Sequence, residues 1–394
     1  MKYYIGIDNS SLDHKVHIID QMGIKIKSFT ISNNLDGFKR LYLNLRKYKD
    51  SAIAFELPHG PLIDFLRLKD FPLYSLNPLK VKRFKESIKV SGNKNDKVDA
   101  EAISFYLLNN FNQLNPMQFN SGSVERLKIL ALSHSRLTKE HTRYNNKLIF
   151  VVRQYFPLYE RLFSRICTKI QLKMIIEYPT FSELRKISNI EIENFLKSHY
   201  YRNPNNIQKV LFKINSYNQI ISEEVEQGLK IEAQALARII LSLENEIARL
   251  ELEMNKIVDN HSLGSIFQSL PGAGRVLSAK LLAIFGDVKN RFNNANGVQC
   301  LFGTAPRNYQ SGPYHKIIMR KACNKIARAV LYKYSFSSMN HSKWAREYYD
   351  NQRKKGKTNS VAIRALSNKW VRIIYKIWKD EIFYEESKKF HPAA

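Results

Sequence analysis

Asn95-Asp96-Lys97-Val98-Asp99-Ala100-Glu101-Ala102 carries two carboxylates three positions apart at the start of a predicted helix, so both project to one helix face. Upstream, Tyr3-Tyr4-Ile5-Gly6-Ile7-Asp8 and Ile53-Ala54-Phe55-Glu56 read as short buried strands. Each ends in an acid at its C-terminal edge, where α/β folds present their ligand-binding groups. Asp8, Glu56, Asp96 and Asp99 are therefore expected to converge from three separate elements. A cluster built only of carboxylate oxygens is what Mg²⁺ or Mn²⁺ requires, and two such ions stabilise both the entering and the leaving oxygen of a phosphodiester exchange. A single carboxylate at a strand end is usually a cap or a solvated group; the signal lies in the combination.

Around these motifs the N-terminal part reads as a mixed sheet. Tyr3 to Asp8, Val16 to Asp20 and Ile24 to Ile31 form three strands with a turn at Gln21-Met22-Gly23, followed by a helix over Leu35 to Tyr48 and a strand over Ser51 to Glu56. A helix from Pro61, a short strand over Pro72 to Leu76, and a helix capped at Asn77-Pro78 complete a β-α-β pattern. The lysine-rich loop from Ser87 leads into the Asp96/Asp99 helix, and Lys94 and Lys97 would hold phosphates there or simply be solvated.

After Pro116 the pattern changes to long helices without strands. Leu236, Ile240, Leu243, Ile247, Leu250, Met254 and Ile257 alternate steps of four and three, the seam of a coiled coil, paired within the chain or with a second protomer. From Leu263 glycines punctuate the chain. Pro271-Gly272-Ala273-Gly274 before an apolar helix looks like the hairpin of a helix-hairpin-helix module, whose amides bind a phosphate, with a plain helix cap as the alternative. Basic helices are predicted from Ile317 to Tyr334 and from Lys357 to Lys379, interleaved with tyrosines and tryptophans that suit base stacking or the core. The resulting division is 1–115 (α/β), 116–262 (helical, coiled coil), 263–385 (mainly helical) and a tail over 386–394.

The composition narrows the partner. Sixty-three Lys and Arg against 35 Asp and Glu give a net charge of +28, which favours polyanions, and 44% hydrophobic content excludes wholesale disorder. No run approaches the roughly 18 apolar residues of a membrane span, so nucleic acid is preferred over a membrane and the cytoplasm is the expected compartment. Cys167, Cys300 and Cys323 are too scattered for a zinc site or a disulfide framework.

Gly6-Ile7-Asp8, Phe55-Glu56, Asn93-Lys94-Asn95-Asp96-Lys97-Val98-Asp99-Ala100, Leu270-Pro271-Gly272-Ala273-Gly274 and Gly303-Thr304-Ala305-Pro306-Arg307-Asn308-Tyr309-Gln310-Ser311-Gly312 together resemble the DEDD-type transposases of the "IS one-ten" insertion sequences, in order and over nearly the whole chain. The resemblance implies an N-terminal RuvC-like, RNase H-fold domain, a coiled-coil insert, and a C-terminal transposase domain with a serine nucleophile. It also implies a structured guide RNA, the bridge RNA, that pairs with donor and target DNA, and a site shared between protomers of a dimer assembling to a tetramer. Carried over by position, the acids are Asp8, Glu56, Asp96 and Asp99 and the serine is Ser311, with Arg307, Lys316 and Arg320 close in sequence. Lys321-Ala322-Cys323-Asn324 and Arg328 look like the family's Lys-x-Gly-Asn and downstream arginine. Cys323 stands where glycine is usual, and Pro313 follows Ser311-Gly312 where glycine is common. Two other readings remain: a resolvase-like nuclease whose acids activate water alone, and a non-catalytic nucleic-acid-binding relic.

Overall fold

The computed structural model describes residues 1–56, 60–69, 71–88, 96–218 and 221–387, with the side chains of residues 88, 96–98 and 223 outside that description. The chain divides into two compact units, 1–119 and 120–394.

The first unit is a five-stranded mixed sheet of order β3-β2-β1-β4-β5. The strands are β1 (Tyr3–Asn9), β2 (Asp13–Asp20), β3 (Lys25–Ser32), β4 (Ser51–Phe55) and β5 (Leu73–Ser75). β1, β2 and β3 pair antiparallel, while β4 and β5 run parallel to β1. Four helices accompany them: α1 (Leu35–Leu45), α2 (Pro61–Arg67), α3 (Pro78–Ile88) and α4 (Asp96–Asn110). Side chains alternate across a strand, and the two faces of this sheet serve different cores. Ile5, Ile7, Val16, Ile53 and Phe55 pack with Phe38, Leu41, Leu62 and Leu66 on the α1/α2 side. Tyr4, Ile19, Ala52 and Ala54 pack with Ile103 and Leu107 on the α4 side.

Small residues on the second face decide how near α4 can lie. A Cβ added at Gly6 would fall 2.5 Å from the Ser104 amide nitrogen and 3.1 Å from the Ile103 Cβ, and it would also meet the Ala100 carbonyl. Gly6, Ala52 and Ala54 therefore form a shallow bed into which α4 sinks, so the Gly-Ile-Asp sequence has a packing reason for its first residue as well as a chemical one for its last.

The second unit is built on two long helices, α5 (Gly122–Tyr155) and α11 (Glu223–Asp259). Between them in sequence lie α6 (Tyr159–Leu162), α7 (Lys169–Glu177), α8 (Phe181–Lys186), α9 (Asn189–Ser198) and α10 (Pro204–Ser216), which form one apolar core with Leu148 to Tyr155 and Ala233 to Ile240. The opposite ends of the long pair, Val124 to Ala131 and Met254 to Val258, belong to another core with the C-terminal segment. That segment holds α12 (Gly264–Gln268), α13 (Gly274–Phe285), α14 (Ala295–Leu301), β6 (Arg307–Ser311), β7 (Tyr314–Ile318), α15 (Lys325–Ser338), α16 (Lys343–Lys354) and α17 (Asn359–Asp380). Among the described residues no helix is long and apolar enough to cross a membrane.

Three sequence expectations need correction. The C-terminal part is not free of strands, because β6 and β7 form an antiparallel hairpin. The helix expected from Ile317 starts only at Lys325: Ile317 and Ile318 end β7, and Asn324 Oδ1 accepts from the amides of Ile326 (3.1 Å) and Ala327 (3.0 Å), the hydrogen bonds of an N-cap. The heptad seam is buried at its ends, at Leu236, Ile240 and Met254, but only half-buried at Leu243, Ile247 and Leu250. In that middle stretch a polar pair, His141 with Glu244, links the two helices instead.

One polar group in this unit is buried in a titratable state. Lys280 on α13 is 7% exposed, and its Nζ donates to His134 Nδ1 at 2.9 Å, which leaves His134 Nε2 to donate to Glu251 Oε1 at 2.8 Å. Burial, aided by the charge of Lys333, brings the Lys280 ammonium down to about 8. Its folded value lies below that of the unfolded chain, so between about pH 8 and 10.5 the unfolded chain binds more protons and stability rises with pH. Compared with Lys280→Met, the wild type is expected to gain up to about 3 kcal/mol from pH 7 to 10.5. Urea unfolding of both proteins at the two pH values checks it; a constant difference between them would refute a buried charge.

Candidate active site

The period of two that builds the sheet also assembles the acids. Tyr4, Gly6 and Asp8 alternate with Ile5 and Ile7, so Asp8 lies on the α4 side of β1. β1 and β4 are parallel neighbours with Gly6 opposite Ala54 and Ile7 opposite Phe55. Continuing that register by one residue brings Glu56 beside Asp8 on the same face. Asp99 enters from the first turn of α4, one residue before Ala100, whose carbonyl faces Gly6. The electrostatics agree with this convergence: burial raises the Glu56 carboxyl above its ordinary range, and the charges of Asp8 and Asp99 push in the same direction while Lys85 opposes them.

Lys85 of α3 forms an ion pair with Asp99, a partner that no sequence motif announced. Its ammonium supplies part of the positive charge that the crowded carboxylates call for. Among the described residues no three carboxylate, imidazole or thiolate groups stand close enough together to hold an ion, and the Asp96 side chain lies outside those residues. In donor chemistry the set fits a hard divalent cation, being oxygen-only and mutually repulsive without one.

Ser311 lies in the second unit, at the end of β6. It pairs with Tyr314 across a two-residue loop of Gly312 and Pro313. Gly312 has φ 55°, the positive value that a primed hairpin turn needs at its first loop position. Proline's fixed negative φ rules out type I′ and suits the second position of a type II′ turn, which donates no ladder hydrogen bond. The departure at Pro313 thus suits the local shape. Residues opposite one another in an antiparallel ladder share a face. Arg307 pairs with Ile318, Tyr309 with Lys316 and Ser311 with Tyr314, so Arg307, Tyr309, Ser311, Tyr314 and Lys316 lie on one side of the ribbon. The rings of Tyr309 and Tyr314 meet edge to face at 6.3 Å, and all five residues are exposed.

The other basic and polar positions divide into groups. Lys94 falls outside the described residues, as does the side chain of Lys97. Gly274 begins α13 with open space where a side chain would be, whereas the Gly272 carbonyl is taken by Ser337 Oγ at 2.7 Å. Lys321 is exposed, and Asn324 is engaged as the α15 cap. Arg328 Nη1 donates to the Arg320 carbonyl at 3.0 Å, and Arg320 Nε is a buried donor with no acceptor among the described residues. Cys323 packs against Gly303, with its Sγ 3.7 Å from the Arg320 carbonyl, so the sulfur fills space that glycine would leave empty. Of the aromatics that suited either base stacking or the core, Tyr334, Trp370 and Trp378 are fully buried core, while Tyr332 and Tyr348 reach the surface of a cleft.

Comparison with known proteins finds two family models that match this chain, one after the other. Residues 5–157 match a family model described as a transposase, of the DEDD type of IS110, and residues 264–350 match the model of the transposase IS116/IS110/IS902 family. The chain is 24% identical to the "Mini-circle putative transposase for IS117" of Streptomyces coelicolor, over 99% of this chain and 97% of that protein. It is also 24% identical to the uncharacterized 43.6 kDa protein of insertion element IS110 from the same organism, over 74% and 72% of the two chains. The uncharacterized 42 kDa protein of insertion element IS900 from Mycobacterium paratuberculosis is 24% identical over 71% and 69%. With its N-terminal acids on a mixed sheet and its helical C-terminal part each matched in order, the chain belongs to the IS110 family of insertion-sequence transposases, enzymes that act on DNA.

Proposed function

We propose that this transposase is an RNA-guided recombinase in which Ser311 attacks the scissile phosphate. The observation that carries the reading is the hairpin register, in which Ser311 shares one exposed face with Arg307 and Lys316. Two cations beside a hydroxyl stabilise the charge that develops on a pentacovalent phosphate. In the step, the Ser311 Oγ–P bond forms as the P–O bond to the departing strand breaks, the serine proton is lost, and the departing oxygen gains one. One phosphodiester replaces another, so the bond energy is conserved for rejoining and no external energy source is needed. Asp8, Glu56, Asp96 and Asp99 would hold Mg²⁺ or Mn²⁺, which when bound polarises the phosphate oxygens. The Asp99 carboxylate has lone pairs enough for both such an ion and the Lys85 ammonium.

DNA and a structured guide RNA are both polyanions, and the charge of +28 supports contact with each. A homo-oligomer, dimer or tetramer, would let acids of one protomer serve the serine of another. Affinity for DNA and for structured RNA is expected to fall roughly a thousandfold or more between about 50 and 200 mM salt. A titration by fluorescence anisotropy tests this, and salt-independent binding would remove the electrostatic role. The test of the chemistry is to trap the reaction on a substrate nicked beside the cleavage point and to map the protein–DNA link by peptide mass spectrometry. A link at Ser311 supports the reading; efficient cleavage with no link, or a link elsewhere, overturns it.

A further inference from the structure

Two adjoining cavities of about 380 and 430 Å³ open beside the base of the β6–β7 hairpin. Thr304, Met319 and Arg364 line both, so they form one two-lobed cleft. Its floor is one face of α17: Ser360, Val361, Arg364, Ala365 and Asn368 follow the three- and four-residue steps of a helix, while Ile363, Leu366 and Trp370 on the other side are core. Each lobe combines the same elements, an apolar wall, one tyrosine and several cations. Ile317 and Ile318 of β7 wall the larger lobe together with Tyr348, and Tyr332 lies in the smaller one with Lys325 and Arg328. Among the described residues no carboxylate lines either lobe. Arg364, at the junction, is half-buried and has no hydrogen-bond or ion-pair partner among the described residues.

A guanidinium that faces a cleft with no carboxylate beside it is available to an anion, which it can bind through charge-assisted hydrogen bonds. An anion flanked by tyrosine rings and aliphatic walls is the description of a nucleotide. Each lobe is of small-ligand size, far too narrow for a duplex, so only a base out of its stack can enter. We propose that this cleft holds an unpaired nucleotide, its base against Tyr348 or Tyr332 and its phosphate on Arg364. Ile318, which also walls the cleft, and Tyr314 are four residues apart on the same face of β7, about 13 Å, so the nucleotide lies within a few positions of the phosphate presented to Ser311. This location rests on the serine reading; the binding itself does not. Thr304 Oγ1 donates to Asn368 Oδ1 at 3.1 Å, which leaves the Asn368 NH₂ group for a base edge.

The test uses the full chain without divalent ions, so neither cleavage nor a working Ser311 enters the measurement. Wild type and Arg364→Gln are titrated with a short single-stranded DNA, the same strand as a duplex, and an RNA of the same sequence, with melting temperatures confirming that both proteins are folded. Loss of about tenfold in single-strand affinity with less than about twofold change for the duplex is the expected result, and the more affected single strand identifies DNA or RNA as the occupant. Equal losses on single strand and duplex, or no loss on either, would overturn the proposal. Photo-cross-linking of wild type to a strand carrying 5-iodouracil supplies the second measurement: cross-links at Tyr348 or Tyr332 are expected, and their absence from both would also overturn it.

Discussion

Ser311→Ala is expected to abolish strand cleavage and joining, by on the order of 10⁴-fold or more, while leaving the melting temperature nearly unchanged. The side chain sits at an exposed hairpin end, and only its backbone enters the ladder with Tyr314. Alanine keeps that backbone and removes a single oxygen, so folding and nucleic-acid affinity should survive. If water were the nucleophile, positioned by the acids of the other unit, the alanine variant would cut about as well as wild type. A non-catalytic binder would cut in neither case. A denaturing gel run after incubation with cognate DNA, guide RNA and Mg²⁺ separates these outcomes. Retained cutting by the variant would eliminate the serine mechanism.

Gly6→Val should be nearly as damaging by a different route. A valine Cβ would overlap the Ala100 carbonyl oxygen and lie 2.5 Å from the Ser104 nitrogen, both backbone atoms of α4 that cannot swing aside as a side chain can. The helix must lift from the sheet, at a cost of about 3 kcal/mol or more. Because Asp99 rides on the first turn of α4, the same displacement draws it away from Asp8 and Glu56, so cleavage falls together with stability. Urea unfolding monitored by the aromatics of the first unit gives the first effect, and strand exchange under conditions where the variant is still folded gives the second. An unchanged unfolding midpoint would mean that α4 does not rest on Gly6.

The sheet was legible because alternation is strong there: the apolar Ile5 and Ile7 flank Gly6, and the following acid marks the strand end. The placement of Asp8, Glu56 and Asp99 was legible for a related reason, since two strands of readable type run into a carboxylate and one helix begins on a pair of them. Lys85 was not, because its pairing with Asp99 depends on how α3 packs beside α4 and not on spacing. The β6–β7 hairpin was missed because its strands are short and exposed on both faces, so they show no apolar alternation. The residues that would have announced it, Gly312-Pro313, read as loop punctuation unless a turn type is assigned. The Tyr332/Tyr348 cleft was visible only as a mixture of aromatics and cations. Which rings are core and which line a cavity depends on the facing of α15 and α16 toward α17, a tertiary fact.

The long pair α5 and α11 joins two apolar cores whose nearest anchors on α11, Ile240 and Met254, stand two heptads apart, about 21 Å along the axis. That separation behaves as a ruler with coarse graduations. Removing one residue from α11 would shift the distal bundle by only about 1.5 Å but turn it by about 100°, breaking the register of every seam contact beyond the cut. A seven-residue change made in both helices together nearly preserves phase, and it moves the bundle by about 10 Å in one step. The reach of this arm can therefore change only in jumps.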